Sequence, residues 1–198
     1  VYTTDGSIPN NGSKVFSNPF TVSSSGVIMA KTIAENGIQS TPVRTNIIFY
    51  NQSVNGWNYQ YYELENPTQI PDFSPLKPIK SGKTSVIDIR KIRNRYQNIG
   101  IVFKSFVKID KEGYYTFYLT SDDGSALYLN NKFIFSNDFR HGITTKRHKL
   151  YLKSGIYEAE IRYYASEWGQ YLIWDYQFEN GHKSEFPLSN IFFSKPTK

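Results

Sequence analysis

Polar and apolar positions alternate with a period of two along much of the chain. Ile101, Phe103, Ser105, Val107 and Ile109 fall on one face of such a stretch, which predicts a half-buried strand. Residues 57–62 read as another strand with aromatics on one face, and 114–119 as a third. A hairpin is expected through Asn130-Asn131, joining 127–129 to 132–135, because Asn tolerates the positive φ of a tight turn. Later strands are expected at 149–152, 157–164 and 170–178, separated by Ser154-Gly155 and a loop at 165–169, with Asn180-Gly181 after the last. No long helical pattern interrupts this order. Regularly spaced turns without helices mean a sandwich or a barrel.

The first 50 residues follow a looser pattern. Residues 26–34 alternate only in part, between turn signals at 23–26 and 35–37. Asn36-Gly37 predicts a hairpin turn, and the segment from Tyr2 starts as a strand that turns at Asp5-Gly6. These are too few strands for an independent domain, so the segment either packs on the rest or has lost its first strands. The polar stretch Asn51-Gln52-Ser53-Val54-Asn55-Gly56 marks the boundary, giving expected domains 1–49 and 50–198. Pro67, Pro71, Pro75 and Pro78 cannot donate to a ladder, so 67–78 is expected to run over the surface or along an edge.

Composition strengthens the all-β reading: 16 Tyr, 14 Phe and 3 Trp suit pleated, half-buried surfaces. The formal net charge is +6, but the basic runs at 90–95 and 146–149 do not interleave with stacking aromatics as a nucleic-acid platform would. Anionic polysaccharide is a better use of that charge. There is no Cys, which excludes disulfides and thiolate metal sites. No apolar run approaches the ~18 residues that would suggest a spanning helix, so no membrane insertion is expected. The chain opens on Val1 rather than Met, and we expect it to be a segment of a longer protein.

The candidate chemistry centres on Ser121-Asp122-Asp123-Gly124-Ser125. Adjacent carboxylates at a strand end repel, so either a cation or a ring of backbone donors must compensate them. The pair is unsuited to glycoside hydrolysis, which needs carboxylates about 5–9.5 Å apart across a substrate. No Ser-His-Asp order, HExxH or phosphate loop is present, so this chain is expected to carry no catalytic site. Trp168, at a predicted loop tip, is placed to stack on a sugar or to pack on a neighbouring loop. In the polar loop Asn137, Asp138, Arg140 and His141, Asp138 offers an oxygen near Asp122 and Arg140 a donor for hydroxyls, unless the loop is simply solvated. Trp57 and Trp174 lie inside strands and read as core or edge packing.

The order of these motifs resembles a known family. From Gly56 to about Phe193 the chain is similar to the PA-14 domain, an antiparallel β-sandwich. The carriers include Tyr61-Tyr62, Pro71-Asp72-Phe73, Asn94-Arg95, Gly113-Tyr114-Tyr115-Thr116-Phe117, Ser121-Asp122-Asp123-Gly124-Ser125, Leu127-Tyr128-Leu129-Asn130-Asn131-Lys132 and Tyr171-Leu172-Ile173-Trp174. Residues 1–49 resemble the small module that follows the catalytic domain in chitobiase and β-hexosaminidase-like enzymes, through Tyr2-Thr3-Thr4-Asp5-Gly6-Ser7-Ile8-Pro9, Val27-Ile28-Met29-Ala30-Lys31 and Ser40-Thr41-Pro42-Val43-Arg44. Strands that normally precede its Tyr-Thr-Thr-Asp-Gly segment are missing.

The resemblance implies a partial β module followed by a PA-14-like sandwich. Together they would form a non-catalytic C-terminal region of a secreted, periplasmic or cell-surface bacterial glycoside hydrolase of β-N-acetylhexosaminidase type, binding carbohydrate or acting as a spacer. Its implied partners are an oligo- or polysaccharide and an upstream catalytic domain. A calcium-dependent adhesin lectin and a purely structural module are the alternatives. In sugar-binding members the matching acids hold calcium that contacts sugar hydroxyls, which implies Asp122, Asp123, Trp168 and Arg140 for carbohydrate and Asp122, Asp123 and Glu167 for Ca²⁺. The loop Ala165-Ser166-Glu167-Trp168-Gly169-Gln170 lacks the Asn often used there, so Glu167 or a backbone carbonyl takes that place in the expectation.

Overall fold

The structure, a computed structural model, describes residues 1–23, 26–47, 49–167 and 169–196. It contains two units, Val1–Tyr50 and Asn51–Lys198. The first is an antiparallel sheet of β1 (Tyr2–Thr3), β2 (Gly26–Ala30) and β3 (Val43–Ile47), in that order. At its first turn the Asp5 carboxylate accepts bonds from the backbone N–H (2.9 Å) and hydroxyl (2.6 Å) of Ser7. Tyr2 and Phe20 stack at 4.5 Å, yet among the described residues of this unit only Pro9 is buried. So thin a core gives a small sheet little stability of its own.

The second unit is a two-sheet sandwich. Its strands begin with β4 (Trp57–Glu63), β5 (Lys80–Thr84), β6 (Ile99–Ile109), β7 (Gly113–Asp122) and β8 (Ser125–Leu129). They continue with β9 (Lys132–Asn137), β10 (Thr144–Leu152), β11 (Gly155–Ala165), β12 (Tyr171–Phe178), β13 (Ser184–Glu185) and β14 (Ile191–Phe192). The large sheet runs β5-β4-β6-β11-β8-β9, with β14 also on β6, and the small one runs β10-β7-β12-β13. A single helical turn, α1 (Ile89–Ile92), is capped by Asp88, which accepts from the Arg90 N–H.

The alternation along β6 is the pattern the sequence predicts: Ile101, Phe103, Val107 and Ile109 are buried in the core between the sheets. Ser105 lies on that same face, and its one hydroxyl proton lies within reach of the carbonyls of both Gly56 and Phe192. Trp57 of the large sheet meets Trp174 of the small sheet edge-on at 5.5 Å, and Phe117 and Phe186 stack on Trp174 at 5.5 and 5.1 Å. Asn130 and Asn131 both adopt positive φ, 50° and 61°, in the hairpin turn between β8 and β9.

Three features depart from the sequence reading. The Pro-rich segment is a cover rather than a bare surface run: Phe73 and Ile70 pack with Tyr62, Leu64, Val102 and Tyr164 in a second apolar cluster. β5, with Lys80-Ser81-Gly82-Lys83-Thr84, has no alternation of its own and exists by pairing with β4. β10 begins at Thr144 rather than 149, so the basic run at 146–149 lies on an edge strand, where charge discourages further strand pairing.

Candidate functional site

β7 ends, β8 begins, β9 and β11 end and β12 begins at one end of the sandwich. The ladders fix this meeting, with Asp122 opposite Tyr171, Tyr163 opposite Ser125 and Ser125 opposite Asn137. Asp122 and Asp123 sit at its centre, joined by a cis peptide bond.

The two acids differ in their partners. Asp123 is buried. Its Oδ1 accepts from the His141 backbone N–H at 2.9 Å, and its Oδ2 from the Ser166 N–H at 2.8 Å and the Ser166 hydroxyl at 2.6 Å. One carboxylate therefore ties the loop after β9 to the loop after β11. Asp122 is half-buried, and among the described residues no hydrogen bond reaches its side chain. Burial pushes its carboxyl up from the ordinary aspartate value and the charge of Asp123 pushes it further, against a smaller pull from His141. Its backbone carbonyl accepts from the Tyr163 hydroxyl.

Two glycines let the loops close here. Gly169 has φ +105°, and a Cβ on it would lie 2.7 Å from Asp122 Oδ2, so loop backbone abuts that carboxylate. A Cβ on Gly124 would lie 2.3 Å from the Tyr164 ring. Tyr164 in turn donates to the Thr68 carbonyl at 2.8 Å, and burial, then Asp123 and Asp138, raise its hydroxyl to about 12.

The other candidates are spread around this end. Arg140 Nε donates to the Ser166 hydroxyl at 2.9 Å, and its guanidinium lies 3.5 Å from Glu167. Arg140, Ser166 and Asp123 thus form one hydrogen-bonded chain. Glu167 is exposed, and no three His, Cys, Asp or Glu come together among the described residues. The trio Asp122, Asp123 and Glu167 is therefore not assembled as a cluster. Asp138 accepts from the Ile70 N–H at 2.6 Å. Trp168 lies outside the described residues. Sequence reasoning did not single out Ser166 as Asp123's partner. It named Asn137 only as a member of the polar loop; the residue instead ends β9, and its amide donates to the Thr144 carbonyl at 3.2 Å while its buried Oδ1 has no partner among the described residues.

Among the described residues no donor reaches the Asp122 carboxylate, and Asp123 Oδ1 keeps one lone pair. A cation beside them would relieve the repulsion that raises Asp122. Ca²⁺ takes about 6–8 oxygens, so most would come from backbone carbonyls, water or ligand hydroxyls. This donor set fits a calcium ion with open positions.

The raised carboxyl has a stability consequence. Because folding disfavours ionisation of Asp122, the native state binds more protons than the unfolded chain between the ordinary value, 3.8, and the raised one. Its unfavourable contribution is fully present above the raised value and is lost as pH falls through it. Asp122→Asn is expected to raise the metal-free Tm at neutral pH, with the gain vanishing below about pH 4; thermal melts across pH in EDTA check it.

Comparisons with known proteins place this geometry. Residues 51–188 match the PA14 domain family, and residues 1–45 match the chitobiase/β-hexosaminidase C-terminal domain. No curated protein matches the chain significantly. Among solved structures, an anti-sigma factor domain-containing protein from Clostridium clariflavum superposes with TM-score 0.58 at 20% identity, covering 85% of this chain and 61% of that one. The chain spans 48% of another protein of that description. A PA14 sugar-binding domain from an RTX adhesin gives TM-score 0.59 at 15% identity, covering 71% of this chain and 99% of that one. The Candida glabrata epithelial adhesin 9 A domain, in complex with Galb1-3GlcNAc, gives 0.55 at 10% identity, covering 73% and 92%.

Proposed function

Because the chain belongs to the PA14 domain family, we propose that its second unit binds carbohydrate through a calcium ion at Asp122 and Asp123. The carrying observation is the asymmetry of the acid pair. Asp123 is spent on His141 and Ser166, whereas Asp122 is raised by burial and has no hydrogen-bond donor among the described residues. A purely structural role needs both acids satisfied by the protein. In this reading Asp122 is the principal ligand, Asp123 adds an oxygen and fixes the two loops, and Arg140 and Trp168 contact the sugar. The ion, when bound, supplies charge and open positions for vicinal hydroxyls. The sugar-binding PA14 domain and the Candida adhesin, which share the fold, support carbohydrate as the ligand class.

The match of residues 1–45 to a chitobiase/β-hexosaminidase C-terminal domain supports the wider setting. Both modules are non-catalytic types, and their pairing suits an accessory region of a secreted bacterial glycoside hydrolase of β-N-acetylhexosaminidase type. Tethering to an oligo- or polysaccharide would raise the local substrate concentration of an upstream catalytic domain. The adhesin setting uses the same site and differs in what precedes the module.

The test is calorimetric titration with Ca²⁺, then a glycan array with and without EDTA. The expected result is stoichiometric Ca²⁺ binding and EDTA-sensitive glycan signals, both lost in Asp122→Asn while circular dichroism stays unchanged. A folded protein that takes up no Ca²⁺ overturns the proposal.

A further inference from the structure

The outward face of the large sheet carries a polar groove that the acid-pair end does not use. Across β4, β6, β11 and β8 one row reads Asn58, Lys104, Glu160, Tyr128 and the next Gln60, Val102, Arg162, Ala126. The Pro-rich segment folds beside them, and Phe73, Ser74, Leu76 and Pro78 form a wall. A cavity of about 210 Å³ results. A second cavity of about 510 Å³ shares Gln60, Val102 and Lys104 with it and extends to Ser81 and Lys83.

The floor of this groove holds an unequal set of charges. Glu160 is only 7% exposed and pairs with Lys104 at 3.0 Å and Arg162 at 2.5 Å. Arg162 also lies over the Tyr128 ring at 4.4 Å. Lys104 and Arg162 on the floor, with Lys83 over the Phe193 ring at 4.7 Å toward the second cavity, face Glu160 and the exposed Asp72 that acts on Arg162 from the side; three cations against two carboxylates leave one surplus positive charge. Lys104 and Arg162 have more N–H donors than Glu160 takes.

We propose that this groove is a second glycan site, for a hydroxylated chain bearing one negative charge per charged sugar, as a uronate carboxylate or a sulfate ester. The surplus charge suits a monoanion. A phosphate dianion would crowd negative charge beside buried Glu160. Gln60, Ser74 and Ser81 match sugar hydroxyls, and exposed Leu76 and half-buried Pro78 offer apolar surface to the C–H face of a sugar ring. The site needs no metal and stands whether or not Asp122 binds one.

The test uses the whole chain in EDTA at low salt, titrated by NMR with trigalacturonate, a κ-carrageenan tetrasaccharide (one sulfate ester on each charged sugar and no uronate) and neutral chitotriose. Binding of at least one acidic probe but not chitotriose is expected, and which acidic probe binds identifies the anion. Lys104→Gln should weaken binding about tenfold, as loss of a charge-assisted contact does. Lys104→Arg should retain it, and Glu160→Gln should tighten it. Lys132→Gln, the same charge change on the exposed β8–β9 hairpin, should leave it unaltered. Failure of both acidic probes, equal binding of chitotriose, or an equal loss in Lys132→Gln overturns the proposal.

Discussion

Asp123→Ala is expected to destabilise the second unit by about 3–5 kcal/mol, because it orphans several donors in a largely buried setting. The Ser166 N–H and hydroxyl bond to Oδ2 in a buried environment, and the His141 N–H bonds to Oδ1 in a partly buried one. Each buried polar group left without a partner costs about 1–3 kcal/mol. Removing the carboxylate also frees the Ser166 hydroxyl, which accepts from Arg140, so both loops at this end lose their shared anchor. Asp123→Asn keeps one acceptor oxygen and should lose about half as much. Urea unfolding in EDTA reads the difference as a shift in midpoint at unchanged slope. A loss below about 1 kcal/mol for the alanine variant would contradict the network. The contrast with Asp122→Asn, expected to stabilise the metal-free protein at neutral pH, makes adjacent acids move stability in opposite directions.

That division of labour was not legible in the sequence. Two adjacent acids before Gly124 announce an electrostatic problem, and both solutions, a cation or backbone donors, were foreseeable. Which acid the protein's own donors satisfy depends on groups that lie 18 and 43 residues away in sequence, at His141 and Ser166. No local pattern encodes such partners. The strands were legible because alternation is a property of neighbouring residues. β6, the Asn130-Asn131 hairpin and the buried positions of Trp57 and Trp174 appear where that pattern puts them. β5 was invisible because its stability comes from β4, and Phe73 was missed because a Pro-rich segment carries no period from which its packing face could be read. The groove around Glu160 is likewise built by register: Lys104 and Glu160 are partners only across a ladder.

Trp174→Ala is expected to cost about 3–5 kcal/mol, the usual range for emptying a large aromatic site in a core. Trp174 is 5% exposed and touches both sheets: Phe117 beside it in the small sheet, Trp57 across the sandwich and Phe186 on its other side. Alanine removes three aromatic pairings and leaves a cavity between layers that cannot easily collapse. Trp174→Phe separates packing from polarity. The indole N–H is buried without an acceptor among the described residues, so phenylalanine removes an unsatisfied donor as well as part of the volume. It should cost less than about 2 kcal/mol, since the two effects oppose. Equal losses for Phe and Ala would mean that the N–H has a partner whose bond matters more than the ring stack. The proposed calcium site adds a second readout to the urea midpoints. Trp174 lies three positions along β12 from Tyr171, which faces Asp122 across the ladder. A Trp174→Phe protein that folds normally should therefore leave the proposed calcium site intact, because Asp123 is held by loop donors rather than by the core beneath it.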